Sequence, residues 1–568
     1  MTSVPDAAPS DAPSLVVVVP DHEGGARLRL LDEDVTPLAP VERVVDLPAR
    51  VAELEKAHAP RWVWADTGGI YAGLLRSGVR VERCHDLTLV EAILLGYHGA
   101  HNQPRGLAAA WARSQGLPPP PDLPTHTRGE QPTLFIPEPP PLPGGAEPID
   151  AATTVLAEQH RGIAATAHPG RLRLLAAAES AGALVAAEMT HYGLPWREDV
   201  HRRLLVELVG ERPSPGQRPR KLAVLAERIA RAFGDREVNP DHPGSVLRAF
   251  AREGIDLPST RAQVLRGIAH PAVAPLLEYK ELSRLWVANG WTWLDTWVHN
   301  GRFRADYVVG GVVSGRWATR GGAALQLPKA TRFAVQADQG WTFVAADAAQ
   351  LEPRVLAALS RDRRLAELTA AGDLYTGLAT DSFDDDRGQA KIAMLSAMYG
   401  GTAGGAGSLL AVLRRRFPDA VDYVEHAAAE GEAGRAVRST LGRTSPPPSE
   451  GWRELTASPD LSLEHRSRQA AREWGRFTRN FVIQASAADW ALALLAALRR
   501  RLAATVAEAE LVFFLHDEIL VHCPLATAKQ VLAQVAAAAE EATSLVFPGT
   551  PVRFPLPAKV VRRYSDAK

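Results

Sequence analysis

The stretch Leu511-Val512-Phe513-Phe514-Leu515-His516-Asp517-Glu518-Ile519-Leu520-Val521 decides how this chain is read. Two apolar runs flank a short polar break, the pattern of a β-hairpin with acidic side chains at its tip. A solvated turn is the commonest origin of such a string. Two acids on a rigid hairpin also suit a metal-dependent phosphoryl-transfer centre, where carboxylates hold Mg²⁺ in a fixed geometry. The rest of the chain has to decide between the two.

A second acid lies far upstream, in Trp341-Thr342-Phe343-Val344-Ala345-Ala346-Asp347-Ala348-Ala349-Gln350-Leu351-Glu352-Pro353-Arg354. An apolar strand ends at Asp347, and a helix starts with Gln350 and Glu352 in or near its first turn. Taken alone, Asp347 is most simply a helix N-cap, worth about 1 kcal/mol. Between the two acids, Arg387, Lys391, Leu395 and Tyr399 recur every fourth residue, a slowly drifting stripe on one helix face. Gly400-Gly401 predicts the end of that helix. Two cations in line suit a triphosphate, and an apolar and aromatic end suits a base. A solvated basic face accounts for the cations but not for the aligned Tyr-Gly end. Farther on, Arg476 and Arg479-Asn480-Phe481-Val482-Ile483-Gln484 open a long helix. The i, i+4 amides Asn480 and Gln484 suit base edges or sugars in a minor groove, or else a buried polar pair between helices.

At 568 residues the chain predicts two to four domains. Its formal net charge of −1 means that a polyanion partner would need local basic patches. Two cysteines, Cys84 and Cys523, without CxxC spacing, argue against a disulfide framework or a structural zinc site. The run Leu15–Val19 is too short for a signal segment, and no apolar stretch is expected to approach a membrane span. A soluble, cytoplasmic, nucleoid-associated monomer with no membrane partner is the expectation.

Short β-like runs from Leu15 and helical stretches near 47–57 and 87–96 predict a small α/β module in residues 1–117. Residues 118–149 are Pro-dense, with Pro118 to Pro121 and Pro137 to Pro143, and predict an extended linker and a domain boundary. Residues 150–300 read as helical. Strand-like segments at 304–309, 343–346, 511–514 and 519–521 then flank a helical block, so a strand platform with a helical insertion is expected.

With these elements in order, the chain resembles the family A, Pol I-like DNA polymerases over roughly residues 150–568. Asp347 with Gln350-Leu351-Glu352-x-Arg354 resembles motif A. The Arg387-x3-Lys391-x7-Tyr399-Gly400 helix resembles motif B, and His516-Asp517-Glu518 resembles motif C. Ser314-Gly315-Arg316 followed by Leu325-Gln326-x-Pro328 is similar to the template-primer segment. Gly372-Asp373-Leu374-Tyr375 sits where the family has Asp-Ile-His, and Glu278 to Leu282 is similar to the end of the thumb.

The resemblance implies a mixed α/β (α+β) fold: a right hand of palm, fingers and thumb, preceded by a small ribonuclease H-like exonuclease-type domain. The implied division is thumb 150–302, first palm part 303–380, fingers 381–480 and second palm part 481–568. It further implies primer-template DNA and dNTPs as partners, with two Mg²⁺ ions for which Mn²⁺ can substitute. Asp347 and Asp517 would be the metal ligands, and Glu518 an accessory catalytic acid. Gln350, Glu352, Tyr375, Arg387, Lys391, Leu395 and Tyr399 would bind the nucleotide, with Glu352 beneath the sugar where a 2′-OH would clash. Arg316, Gln326, Arg476, Asn480, Gln484 and His516 would hold the DNA. Repair or gap filling is the implied setting.

Three departures stand out. Leu395 occupies a usually aromatic position, Gly388 replaces a second basic residue, and Ala348-Ala349 replace Tyr-Ser. Weaker nucleotide binding is expected from the first. In the N-terminal module, Asp21-His22-Glu23 has the Asp-x-Glu form of an exonuclease site, but Pro20 and Gly24-Gly25 around it predict a hairpin turn. Asp66 and Asp86 are further acids, yet no late Tyr-x3-Asp or His-x4-Asp element precedes the linker. A degenerate, structural exonuclease domain is expected. The competing readings are a single-subunit RNA polymerase, against which Glu352 and His516-Asp517-Glu518 argue, and an inactive DNA-binding scaffold. A scaffold has no need of metal acids and triphosphate cations in register.

Overall fold

The structure is a computed structural model describing residues 12–21, 25–122, 142–322, 324–370, 372–400 and 406–567. The chain forms two compact units. The first comprises Met1–His191, Tyr307–Ala318 and Val344–Lys559; the second comprises Tyr192–Asp306, Thr319–Phe343 and Val560–Lys568.

The first unit begins with a five-stranded mixed sheet. β1 (Leu15–Pro20), β2 (Ala26–Leu31), β3 (Glu42–Val44), β4 (Arg61–Trp64) and β5 (Arg83–Asp86) lie in the order β3-β2-β1-β4-β5. β1 pairs antiparallel with β2 and parallel with β4, and its Val16, Val17 and Val18 are buried. A valine run is what a strand covered on both faces requires. The helix Pro148–Ala164 packs Ile149, Val155 and Leu156 against one face of this sheet. Leu184, from the helix Pro169–Tyr192, enters the core on the other face.

The expected boundary at 118–149 therefore does not separate two cores, because helices beyond the Pro-dense stretch finish the sheet before it. A polar clamp adds to this. Arg499 donates to Glu188 at 2.8 Å, to the Tyr71 hydroxyl at 3.2 Å and to the Glu82 carbonyl at 2.7 Å. Arg80 also donates to Glu188, at 3.1 Å. Glu188 is buried, yet these cations hold its carboxyl below the usual range against the upward push of burial.

To this unit also belongs most of a four-stranded sheet, in the order Glu510–Leu515, Glu518–Pro524, Trp341–Asp347, Ala558–Val561. Behind it runs one uninterrupted helix, Glu464–Thr505, with Trp490, Leu494 and Leu498 buried. The expected fingers–palm boundary at 480/481 falls inside this helix. One window of it is long and apolar enough to cross a membrane, which corrects the expectation that no stretch approaches a span. That window is 89% buried inside the protein, so packing accounts for its apolarity.

The second unit is mainly helical. Leu205, Leu222, Ile229, Phe250 and Leu276 form its core across the helices Glu198–Val209, Arg220–Ala232, Pro243–Arg252 and Val273–Asn289. Trp196, Trp293 and Phe303 pack as an aromatic cluster, with ring centroids 5.0–5.7 Å apart. The expected thumb started at 150, but the helices up to His191 belong to the first unit. Their apolar faces are already used on the N-terminal sheet.

Candidate active site

The hairpin turns as tightly as its sequence implies. Leu515 pairs with Glu518, leaving His516 and Asp517 as the whole loop. His516 adopts φ +59°, and the Asp517 N–H donates to the Leu515 carbonyl at 2.7 Å. The Ala348 N–H donates to the Asp517 carbonyl at 3.0 Å, so the end of the Asp347 strand is bonded to the hairpin tip. The cap position of the following helix, Leu351–Ser360, is Gln350 in a left-handed conformation, φ +52°, and not Asp347. The simple capping explanation of Asp347 is thereby removed. Glu518 opens the second hairpin strand and is buried.

A cavity of about 180 Å³ opens beside this junction, lined by Arg316, Gln350, Leu351, Glu352, Tyr375, His516 and Asp517, with Ala487 and Ala488 from the long helix. Six residues singled out in the sequence thus meet in one place. Arg316 gets there because its neighbours pack on the hairpin. The Trp317 ring lies 5.0 Å from that of Phe514, and the Tyr307 hydroxyl donates to the Phe514 carbonyl at 3.1 Å. Glu352 accepts from Arg316 on one oxygen and from the Tyr399 hydroxyl on the other. Burial and the Glu352 carboxylate push the Tyr399 phenol upward, so it stays protonated and donates. Crowding around the His516 ring, with Arg316 nearby, holds its pKa below the usual histidine value.

A second cluster centres on Asp373, which the sequence reading quoted in a motif but gave no role in the site. It accepts from Gln350 at 2.8 Å and from Arg387 at 2.9 and 3.4 Å, and it caps the helix Leu374–Ser382 through the Thr376 N–H at 2.8 Å. Burial pushes its carboxyl up, but Arg387 and the capped N–H outweigh that and draw it down to about 2. The Arg387 guanidinium also lies over the Tyr375 ring, 5.5 Å from its centroid. Burial, and after it Glu352, push Tyr375 up to about 12. An Asp before a helix start was a visible capping signal; its grip on Arg387 was not. Arg354 was also undervalued. It is fully buried and donates to the carbonyls of Ala349, Thr369, Arg553 and Gly372.

The helix Arg387–Tyr399 ends on Gly400 in the left-handed region, as expected; Gly401 lies outside the described residues. Lys391 is exposed with no ion pair among the described residues, and Leu395 is half-buried. Arg476 is exposed and sits 3.7 Å from Glu473. The Asn480 Oδ1 atom is buried without a hydrogen-bond partner among the described residues. Asn480 and Gln484 are therefore not a satisfied polar pair between helices. Gln326 falls in the second unit, exposed in a short turn of 3₁₀ helix. Among the described residues, no group of three or more His, Cys, Asp or Glu gathers in metal-binding fashion. What the site offers is a pair of carboxylates at adjoining strand ends.

A hairpin tip bonded to an acid-terminated strand, with a long helix behind and a basic helix to one side, is the palm of a right-hand polymerase fold. The chain belongs to DNA polymerase family A, whose model matches residues 245–561. It is 29% identical to the thermostable DNA polymerase I of Thermus thermophilus over 323 residues, which is 51% of this chain and 36% of that protein. It is 27% identical over 299 residues to DNA polymerase I of Chloroflexus aurantiacus, covering 47% of this chain and 30% of the relative. The chain thus spans about a third of the length of the curated relatives it matches. Among solved structures it is similar to the POL domain of Pol1 from M. smegmatis in complex with DNA primer-template and dNTP. The TM-score is 0.71 at 18% identity, over 97% of this chain and 96% of that one.

Proposed function

We propose that this chain is a template-directed DNA polymerase that extends a DNA primer with dNTPs. The observation that carries the reading is the Ala348 to Asp517 hydrogen bond, which joins the two acid-bearing strands beside the cavity lined by Arg316, Glu352, Tyr375 and His516. In the reaction the primer 3′-oxygen bonds to the α-phosphorus, the α–β phosphoanhydride bond breaks, pyrophosphate leaves, and the hydroxyl proton passes to water.

Two carboxylates on rigid neighbouring strands fit Mg²⁺, a hard cation that takes oxygen ligands and keeps positions for water and phosphate. Bound there, the cations would lower the pKa of the primer hydroxyl and neutralise charge on the leaving group. Asp347 and Asp517 would hold them. Lys391, exposed and without an ion pair among the described residues, would meet the triphosphate, joined by Arg387 once it exchanges Asp373 for phosphate oxygens. Glu352, held from two sides, would form the floor that excludes a 2′-hydroxyl. Asn480, whose Oδ1 has no partner among the described residues, would accept a hydrogen bond from the minor groove.

The N-terminal module is proposed to be structural. Asp21 lies in the β1–β2 turn, where its N–H donates to the Gly25 carbonyl at 2.8 Å and its carboxylate pairs with Arg43 at 3.1 Å. His22 and Glu23 lie outside the described residues. Asp66 and Asp86 are occupied as the N-caps of the helices Thr67–Arg76 and Leu87–Tyr97. Primer extension with Mg²⁺, repeated with Mn²⁺, tests the main reading. Extension that is lost in Asp347→Asn and Asp517→Asn supports it, and failure of the unaltered protein with both metals overturns it in favour of a DNA-binding scaffold.

A further inference from the structure

Beneath the turn that carries Arg316 lies a buried ion cluster that the proposed reaction does not use. Arg443 donates to Glu179 at 2.7 Å and to Asp489 at 3.4 Å. Glu179 and Asp489 are 2% and 0% exposed. The three residues come from distant parts of the chain: the helix Pro169–Tyr192, the loop after residue 434, and the long helix Glu464–Thr505. Burial pushes the Asp489 carboxyl up, although Arg443 opposes it; the two carboxylates in turn hold the Arg443 guanidinium above its ordinary value despite its burial. One cation against two buried acids is an expensive arrangement that apolar packing could replace. Its retention calls for a geometric reason.

The glycines give one. Gly315 adopts φ +84°, and a Cβ there would overlap the Arg443 guanidinium. Gly310 adopts φ +59°, and a Cβ there would overlap the Glu179 carboxylate. The Gly310–Arg316 segment is thus pressed directly onto the ion cluster at two points. Its own turn is closed by the Gly315 N–H donating to the Val312 carbonyl at 2.7 Å and the Val312 N–H donating to the Arg316 carbonyl at 3.1 Å. The next residue along is Arg316, whose guanidinium fixes one oxygen of Glu352.

We infer that Arg443, with Glu179 and Asp489, is a positioning residue for sugar selection: it sets the height of the Gly315 turn, and through Arg316 it holds Glu352 where a 2′-hydroxyl would clash. This rests on the polymerase reading of the site. Arg443 does not touch the cavity and acts only through the turn. A guanidinium is suited to the task because its flat fork can face two carboxylates while offering its plane to a glycine backbone, which an ammonium cannot do.

The test measures incorporation of dNTP and rNTP by Arg443→Lys and by Gly315→Ala, each normalised to the fraction of active molecules by active-site titration. We expect discrimination against ribonucleotides to fall by about fivefold or more, mainly through kcat/KM for the rNTP, with the dNTP rate changed less. Arg435→Ala, whose exposed ion pair with Glu430 at 2.7 Å stands apart from the cluster, serves as a control and should keep the wild-type ratio. If the variants lose stability or active fraction and the dNTP/rNTP ratio of the surviving molecules is unchanged, the cluster is only structural and the inference is overturned. Absence of primer extension by the unaltered protein would instead overturn the polymerase reading itself, so the two failures are distinguishable.

Discussion

The backbone N–H of Ala348 donates to the carbonyl oxygen of Asp517 at 3.0 Å, although 169 positions separate the two in sequence. Everything proposed for the site depends on that junction, since it brings one acid-bearing strand end to the other without asking the side chains to reach.

Asp347→Asn and Asp517→Asn should each reduce primer extension by on the order of 10³-fold, because the charge opposing the metal ions is lost while shape is kept. Thermal melting should be nearly unchanged. Measured rates within tenfold of wild type for either variant would remove that residue from the metal site.

Arg354→Ala should be among the most damaging substitutions outside the cavity. It leaves the carbonyls of Ala349, Thr369, Arg553 and Gly372 without their shared buried donor. A loss of about 3–5 kcal/mol is expected from denaturant titration, as for breaking a buried charged network.

Leu395→Phe should tighten dNTP binding. A stacking face is worth about 1–3 kcal/mol, so KM should fall by roughly fivefold or more. Steady-state kinetics showing no gain in affinity or selectivity would mean that the apolar surface of leucine already suffices.

Asp86 gives a pH prediction. Burial, with Asp66 nearby, raises its carboxyl to about 6 despite hydrogen bonds from Leu89 and Thr67. A raised carboxyl pKa means that the folded state binds the proton more tightly than the unfolded chain. Its contribution to stability is therefore greatest below about pH 4 and declines as pH rises toward 6. Asp86→Ala loses a helix cap and should be less stable throughout, yet its stability should fall less steeply between about pH 4 and 6 than that of the wild type. Equal slopes in denaturant titrations would refute the buried-proton account.

The N-terminal module should show no 3′–5′ exonuclease activity. Incubation of purified protein with a mismatched primer, with and without Asp21→Ala, reads this directly. Degradation that depends on Asp21 would show the module to be a working nuclease.

The strands and helices bearing Asp347, Arg387–Tyr399 and Asp517 were legible in the sequence because each carries a strong local period and a clear stop. The meeting of Arg316 with Glu352 was not legible: the resemblance gave the two separate roles, and nothing local says that Trp317 packs on Phe514. The hold of Asp373 on Arg387 was hidden for the same reason. Boundaries were the weakest reading. Proline density marks where the chain is extended, but it says nothing about which helices later cover the two faces of the sheet, and Leu156 and Leu184 do so from beyond the Pro-dense stretch.

The clamp of Arg499 on Glu188 and Tyr71 makes the N-terminal sheet a structural part of the helices that follow it. Removing the sheet would leave the Glu188–Arg499 pair without Tyr71 and Arg80 and turn an apolar wall toward water. Tyr71 and Leu184 are held there by packing that does not depend on what chemistry the module performs.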